Sequence, residues 1–132
     1  MQRSTDSTTD DSPRLNHNQA LGAYGELLAA RFLTRQGMVL LDHNWRCPQG
    51  EIDLVLRDGR TLVICEVKTR SSNDYGTPHE AIDRCKVDRL RRLAASWLRV
   101  HTARPDDIRL DLVAVLQPRS GEPEIDHVRG LM

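Results

Sequence analysis

The chain has 132 residues, enough for one compact domain around one core, and its 19 lysines and arginines balance its 19 aspartates and glutamates. Zero formal net charge excludes long-range attraction to a polyanion or an acidic membrane, so any affinity for nucleic acid has to be local. Three cysteines without a CxxC spacing argue against a disulfide framework or a zinc ribbon and fit a reducing cytoplasm, and no segment has the apolar length of a membrane span.

The polar head MQRSTDSTTDDSPRLNHN lacks the apolar run of a signal peptide and is expected to be disordered to about Asn16, leaving residues 17–132 as the folded domain. From His17 to Gln36 the spacing of Leu21, Tyr24, Leu28 and Phe32 predicts a helix, with Gly37 as its stop. Met38 to Trp45 reads as a strand, ended by the turn-like Cys47-Pro48-Gln49-Gly50. Glu51–Arg57 and Thr61–Thr69 follow as two strands, joined at Asp58-Gly59 in a hairpin signal. The polar loop Arg70–Gly76 leads to Thr77-Pro78-His79-Glu80, a capping-box start for a helix running to about Val100. Arg109–Gln117 is a strand and Glu124–Val128 a short edge strand. The order α-β-β-β-α-β, with one further strand, predicts an α/β fold. Its sheet is covered on both faces, with Ile52, Leu54 and Leu56 on one side and Val55, Leu62 and Ile64 on the other.

With Asp58-Gly59 as a two-residue turn, Asp53 is expected opposite Ile64 and Glu51 opposite Glu66, which sends Glu51, Asp53, Glu66 and Lys68 to one face. Carboxylates ~5 Å apart repel by roughly 3 kcal/mol at an effective dielectric near 20. Three acids beside one lysine therefore need raised pKa values, nearby arginines or a bound cation; a hard ion such as Mg²⁺ suits carboxylates, water and the Val67 carbonyl. On the first helix Glu26 lies in a stripe of small residues, Gly22, Ala23, Ala29 and Ala30, with no Lys or Arg at i±3 or i±4. It is expected to face the same cation or an arginine across the fold. Solvated strand ends with an incidental Glu66–Lys68 pairing would carry the same four residues without chemistry.

The segments GAYGELLAARFL, NWRCPQGEIDLV, VICEVKTR and RLDLVAV, in this order, closely resemble the YraN-like uncharacterised proteins, which are placed in the PD-(D/E)XK nuclease superfamily near archaeal Holliday-junction resolvases. The resemblance runs from about Leu21 to the C-terminus and implies a restriction-endonuclease-like αβββαβ core. By position it implies Asp53 and Glu66 as metal ligands, Lys68 as the catalytic lysine, and Glu26 as the helix glutamate of related nucleases; Ile52 stands where that superfamily usually has proline. The activity so implied is Mg²⁺- or Mn²⁺-dependent cleavage of DNA, including branched or single-stranded forms, with a homodimer natural for a two-fold junction. A binding module of the same fold that does not cleave is the rival expectation.

For the second helix, Arg84, Lys86, Arg89, Arg91, Arg92 and Arg99 outnumber Asp83 and Asp88. Such a face either neutralises phosphates or is simply solvated; Lys86, Arg89 and Arg92, with Arg46, Arg70 and Tyr75 on loops, are the candidate nucleic-acid contacts. Glu51 would support the site. Asp111, on an apolar strand, reads as a hydrogen-bonded structural acid. Cys65 and Trp97 read as core, Trp45 as core or a stacking surface, and the histidines lack zinc spacing.

Overall fold

A computed structural model describes residues 16–71 and 83–131. Helix α1 spans His17–Arg35 and is followed by β1 (Val39–Cys47), β2 (Gly50–Asp58), β3 (Thr61–Arg70), α2 (Arg84–His101), β4 (Asp107–Leu116) and β5 (Glu124–Val128). The five strands form one sheet in the order β1-β2-β3-β4-β5, antiparallel except for the parallel β3–β4 pair. The α2 crossover explains that exception, because parallel neighbours need a long connection. This is a mixed α/β sheet with a helix on each face, consistent with the restriction-endonuclease-like core.

Asn16 caps α1: its side chain accepts from the Gln19 N–H while the Gln19 side chain accepts from the Asn16 N–H. That reciprocal pair satisfies two of the helix's orphan donors. The described second helix starts at an Asp83 cap. Asp83 is extended (φ −128°, ψ 173°) and caps Lys86, so the helix begins at Arg84; Thr77–Glu80 lie outside the described residues.

Two apolar layers sandwich the sheet. On the α2 side Val55, Leu62, Ile64 and Leu110 pack with Val87, Leu90, Leu93, Ala94 and Trp97. On the α1 side Leu54, Leu56, Val63, Cys65, Val113 and Val115 pack with Ala29, Leu33 and Met38. The indole N–H of Trp97 donates to Asp42 at 3.0 Å and ties α2 to β1. The buried stripe of α1 is Gly25, Ala29 and Leu33, not Gly22, and Tyr24 is exposed. Gly25 decides this: a Cβ there would stand 2.8 Å from Thr69 Cγ2 and 2.9 Å from Thr69 Cβ, so only glycine lets helix and strand approach so closely.

The hairpin register differs from expectation by two residues. Asp58 pairs with Thr61, so Gly59 (φ 63°) and Arg60 make the turn, and Ile64 faces Val55 rather than Asp53. Glycine's freedom at positive φ draws the turn onto itself. An even shift leaves the inside–outside alternation of β3 intact. Ile52, however, belongs to the α2 layer while Leu54 and Leu56 belong to the α1 layer, although residues two apart in a regular strand share a face. The strand turns over between them, at Asp53. On β1 the neighbouring residue Asn44, between the pairs His43–Leu54 and Trp45–Ile52, takes φ 50° at the same level.

Candidate active site

The turn-over fixes Asp53. The β2–β3 ladder ends at Leu54–Cys65, and beyond it the Asp53 carboxylate accepts the Val67 N–H at 2.8 Å. A side chain thus takes over where the backbone ladder stops. This places Asp53 against the Glu66–Val67 peptide, so both acids come from strands that have begun to separate.

Acids reach this end of the sheet from the strands and from α1. Glu66 points towards α2, where Lys86 Nζ lies 3.1 Å from one carboxylate oxygen and Arg89 Nη2 3.7 Å from the other. Glu26 comes from the α1 layer, and its hydrogen-bond partner is the Asn44 side chain, not an arginine. Glu51 is exposed and pairs with Arg46 at 3.7 Å. Lys68 is exposed two residues beyond Glu66.

The electrostatics follow from this gathering. Burial, with Glu26, Glu66 and Glu51 adding repulsion, pushes the Asp53 carboxyl up from 3.8 to about 6 despite the stabilising Val67 N–H. Burial also raises Glu26; the Asn44 bond works against that, and Glu51 works with it. A place that resists accumulating negative charge is one where a cation is favourable. Among the described residues no three His, Cys, Asp or Glu side chains form a ready metal cage. A set of two carboxylates and the Val67 carbonyl is nevertheless what Mg²⁺ accepts, since it keeps several of its waters. Asp53, Glu66 and Val67 fit such an ion; Lys86 and Arg89 compete with it for Glu66.

Of the other sequence candidates, Lys86 and Arg89 turn to Glu66 instead of outward to a polyanion, and Arg46 turns to Glu51. Arg92 is exposed on α2. The Arg70 carbonyl accepts from Gln117 N at 2.8 Å. Tyr75 lies outside the described residues. Asp111 is fully buried and holds a structural network: Arg109 at 2.9 Å, His127 at 2.8 Å and the Gly130 N–H at 3.1 Å all donate to it. Burial alone would raise its pKa, but these three donors hold it below the usual carboxylate range. Arg109 reaches on to Asp58, which also binds Arg129. Burial pushes the Cys65 thiol well up, which leaves it inert. Trp45 packs on the α2-side core. Sequence reasoning missed Asn44; the signal was an Asn inside a predicted strand, the residue type most tolerant of positive φ after glycine.

Residues 25–115 match the model of the uncharacterised protein family UPF0102, a span that runs from the middle of α1 to the last residues of β4. The chain belongs to the UPF0102 family. A UPF0102 protein from a Nocardioides species is 65% identical over 113 residues, covering 86% of this chain and 91% of the relative. UPF0102 proteins from Beutenbergia cavernae and Streptomyces griseus are 54% and 52% identical, covering 85% and 89% of this chain and 95% and 99% of theirs. Glu26, Asn44, Asp53, Glu66 and Lys68 all lie within the matched span. Among the described residues no helix is long and apolar enough to cross a membrane.

Proposed function

We propose that this protein is a nuclease that hydrolyses phosphodiester bonds in DNA, using Mg²⁺ or Mn²⁺ held by Asp53, Glu66 and the Val67 carbonyl. The observation that carries the reading is the 2.8 Å contact from Val67 N to Asp53, which sets one half-buried carboxylate against the strand segment bearing the second acid and the lysine. A divalent ion supplies Lewis-acid stabilisation of phosphate charge and a more acidic bound water. Asp53 and Glu66 provide the anionic oxygens. Lys68, exposed beside them, orients the attacking water or offsets charge on the phosphate. Glu26, braced by Asn44, adds negative potential on the α1 side and strengthens the pull on the ion. The substrates that fit are branched, flapped or single-stranded DNA in a reducing cytoplasm, with a second copy completing a two-fold junction; 4% aromatic residues leave few platforms for tight single-strand binding by one chain.

The test is incubation of the full chain with Mg²⁺ or Mn²⁺ and a panel of such DNAs. Cleavage lost in Asp53→Asn supports the reading, and no cleavage of any substrate overturns it. The engagement of Glu66 by Lys86 and Arg89 favours a second reading, a nucleic-acid-binding module that does not cut. Mn²⁺ calorimetry separates the two, because the module would bind DNA without Asp53-dependent metal affinity.

A further inference from the structure

Two cations of α2 occupy both oxygens of Glu66, a residue the nuclease reading needs for metal. The Glu66 side chain is only 16% exposed, sandwiched between β3 and the first turns of α2. The Asp83 side chain caps the Lys86 N–H at 2.8 Å, fixing the backbone from which Lys86 reaches the carboxylate. Arg89, one turn on, is 46% exposed, so its guanidinium keeps a face to solvent. A metal ion approaching Glu66 meets two positive charges within about 4 Å of the oxygens it requires. A phosphate backbone meets the same two charges as attractive partners, and Arg in particular pairs with phosphate through parallel N–H bonds.

We propose that Lys86 and Arg89 form a built-in counterion clamp on Glu66, which DNA phosphates draw off, so that metal and nucleic acid bind with positive coupling. The inference rests on the nuclease reading and assigns Lys86 and Arg89 as positioning residues acting through Glu66. Coupling of this kind is reciprocal: DNA must raise metal affinity by the factor by which metal raises DNA affinity. A protein so built leaves its metal site weak until a substrate is present. Arg89, the more exposed of the pair, is the one a phosphate reaches first.

The experiment is Mn²⁺ titration by calorimetry on the full chain, with and without a phosphorothioate DNA duplex that resists cleavage, for wild type, Lys86→Gln, Arg89→Gln and the double variant. Because removing two positive charges a few ångströms from the ion's site lifts a Coulomb repulsion that is large at an effective dielectric near 20, the double variant should bind Mn²⁺ more than about tenfold tighter than wild type without DNA. Adding the duplex should tighten Mn²⁺ binding to wild type and leave the double variant unchanged, and Lys86→Arg should restore wild-type behaviour. The single variants guard against a folding defect in the double, with a thermal melt for each. Asp53-dependent Mn²⁺ binding in wild type with equal or weaker binding in the Gln variants overturns the clamp alone. Absence of Mn²⁺ binding in every form overturns both the clamp and the nuclease reading.

Discussion

Asp53 and Asp111 are two partly or fully buried acids whose surroundings drive them in opposite directions, and their substitutions should separate along the pH axis. Asp53 has a folded-state pKa of about 6 against 3.8, so the native state holds its proton more tightly than the unfolded chain. Its contribution to stability is complete below pH ~4 and is lost as pH rises through about 6. At pH 7.5 the ionised group costs about 2 kcal/mol, allowing for partial solvation. Asp53→Asn keeps the acceptor for Val67 N and removes the charge, so it should melt several degrees higher than wild type at pH 7.5 and no higher at pH 4. Melting temperatures across that range check this, and an equal difference at both ends would contradict it. Added Mg²⁺ should stabilise wild type and not the variant. Asp111, held below the usual range, contributes stability at neutral pH that disappears only as pH falls through its depressed pKa. Asp111→Asn should cost about 2 kcal/mol at pH 7, less than a fully broken buried pair because Arg109 keeps Asp58. Urea denaturation at pH 7 measures that loss, which should shrink on strong acidification.

At the level of elements, the pairing of α1 with β3 carries the consequence of Gly25. Gly25→Ala forces the helix off Thr69 and should destabilise the protein by about 1–3 kcal/mol. Thr69→Ala in the same chain should recover part of that loss, because it removes the γ atoms nearest the new methyl. A denaturation double-mutant cycle reads the coupling, and additive costs would mean that the helix and strand do not meet there. Cleavage should fall with Gly25→Ala as well, since Glu26 is the next residue and moves with the helix. The same elements show what the sequence made legible. Period-2 and period-3.6 patterning located every described strand and α1 to within about two residues, and the end of α2 likewise, because burial against one layer or two dictates that patterning. Patterning did not reveal the turn-over at Asp53 and Asn44, because alternation is a rule for regular strands and this site exists where regularity fails. Nor did it single out Asp83, whose side chain caps the described start of α2; an aspartate among several polar residues carries no periodic signal. Glu26 stood out for lacking a helical partner, yet its actual partner, Asn44, lies on β1, a distance no local spacing encodes.

For the whole molecule, equal numbers of acids and bases mean that DNA binding has to come from a patch rather than from net charge. The surplus on α2 is smaller in effect than its count suggests. Lys86 and Arg89 are engaged with Glu66, and Arg99 donates to Ser96 at 3.2 Å, so Arg84, Arg91 and Arg92 are the exposed arginines of that helix most readily turned to phosphate. In the absence of metal, then, phosphate neutralisation should be modest. The logarithm of the DNA-binding constant should fall against the logarithm of salt concentration with a slope of about −3, near −0.9 per phosphate engaged. Arg92→Gln should lower that slope by about 1 and weaken binding uniformly across DNA sequences, as a backbone contact does. Fluorescence anisotropy with a labelled duplex at several salt concentrations measures it. Saturating Mg²⁺ should make the slope steeper, because a metal-bound Glu66 returns Lys86 and Arg89 to the phosphate-facing surface and adds two counterions to those released. An unchanged slope with Mg²⁺ would mean that these two side chains stay on Glu66 in the complex, and the basic face of α2 would then act without reference to the acids beside it.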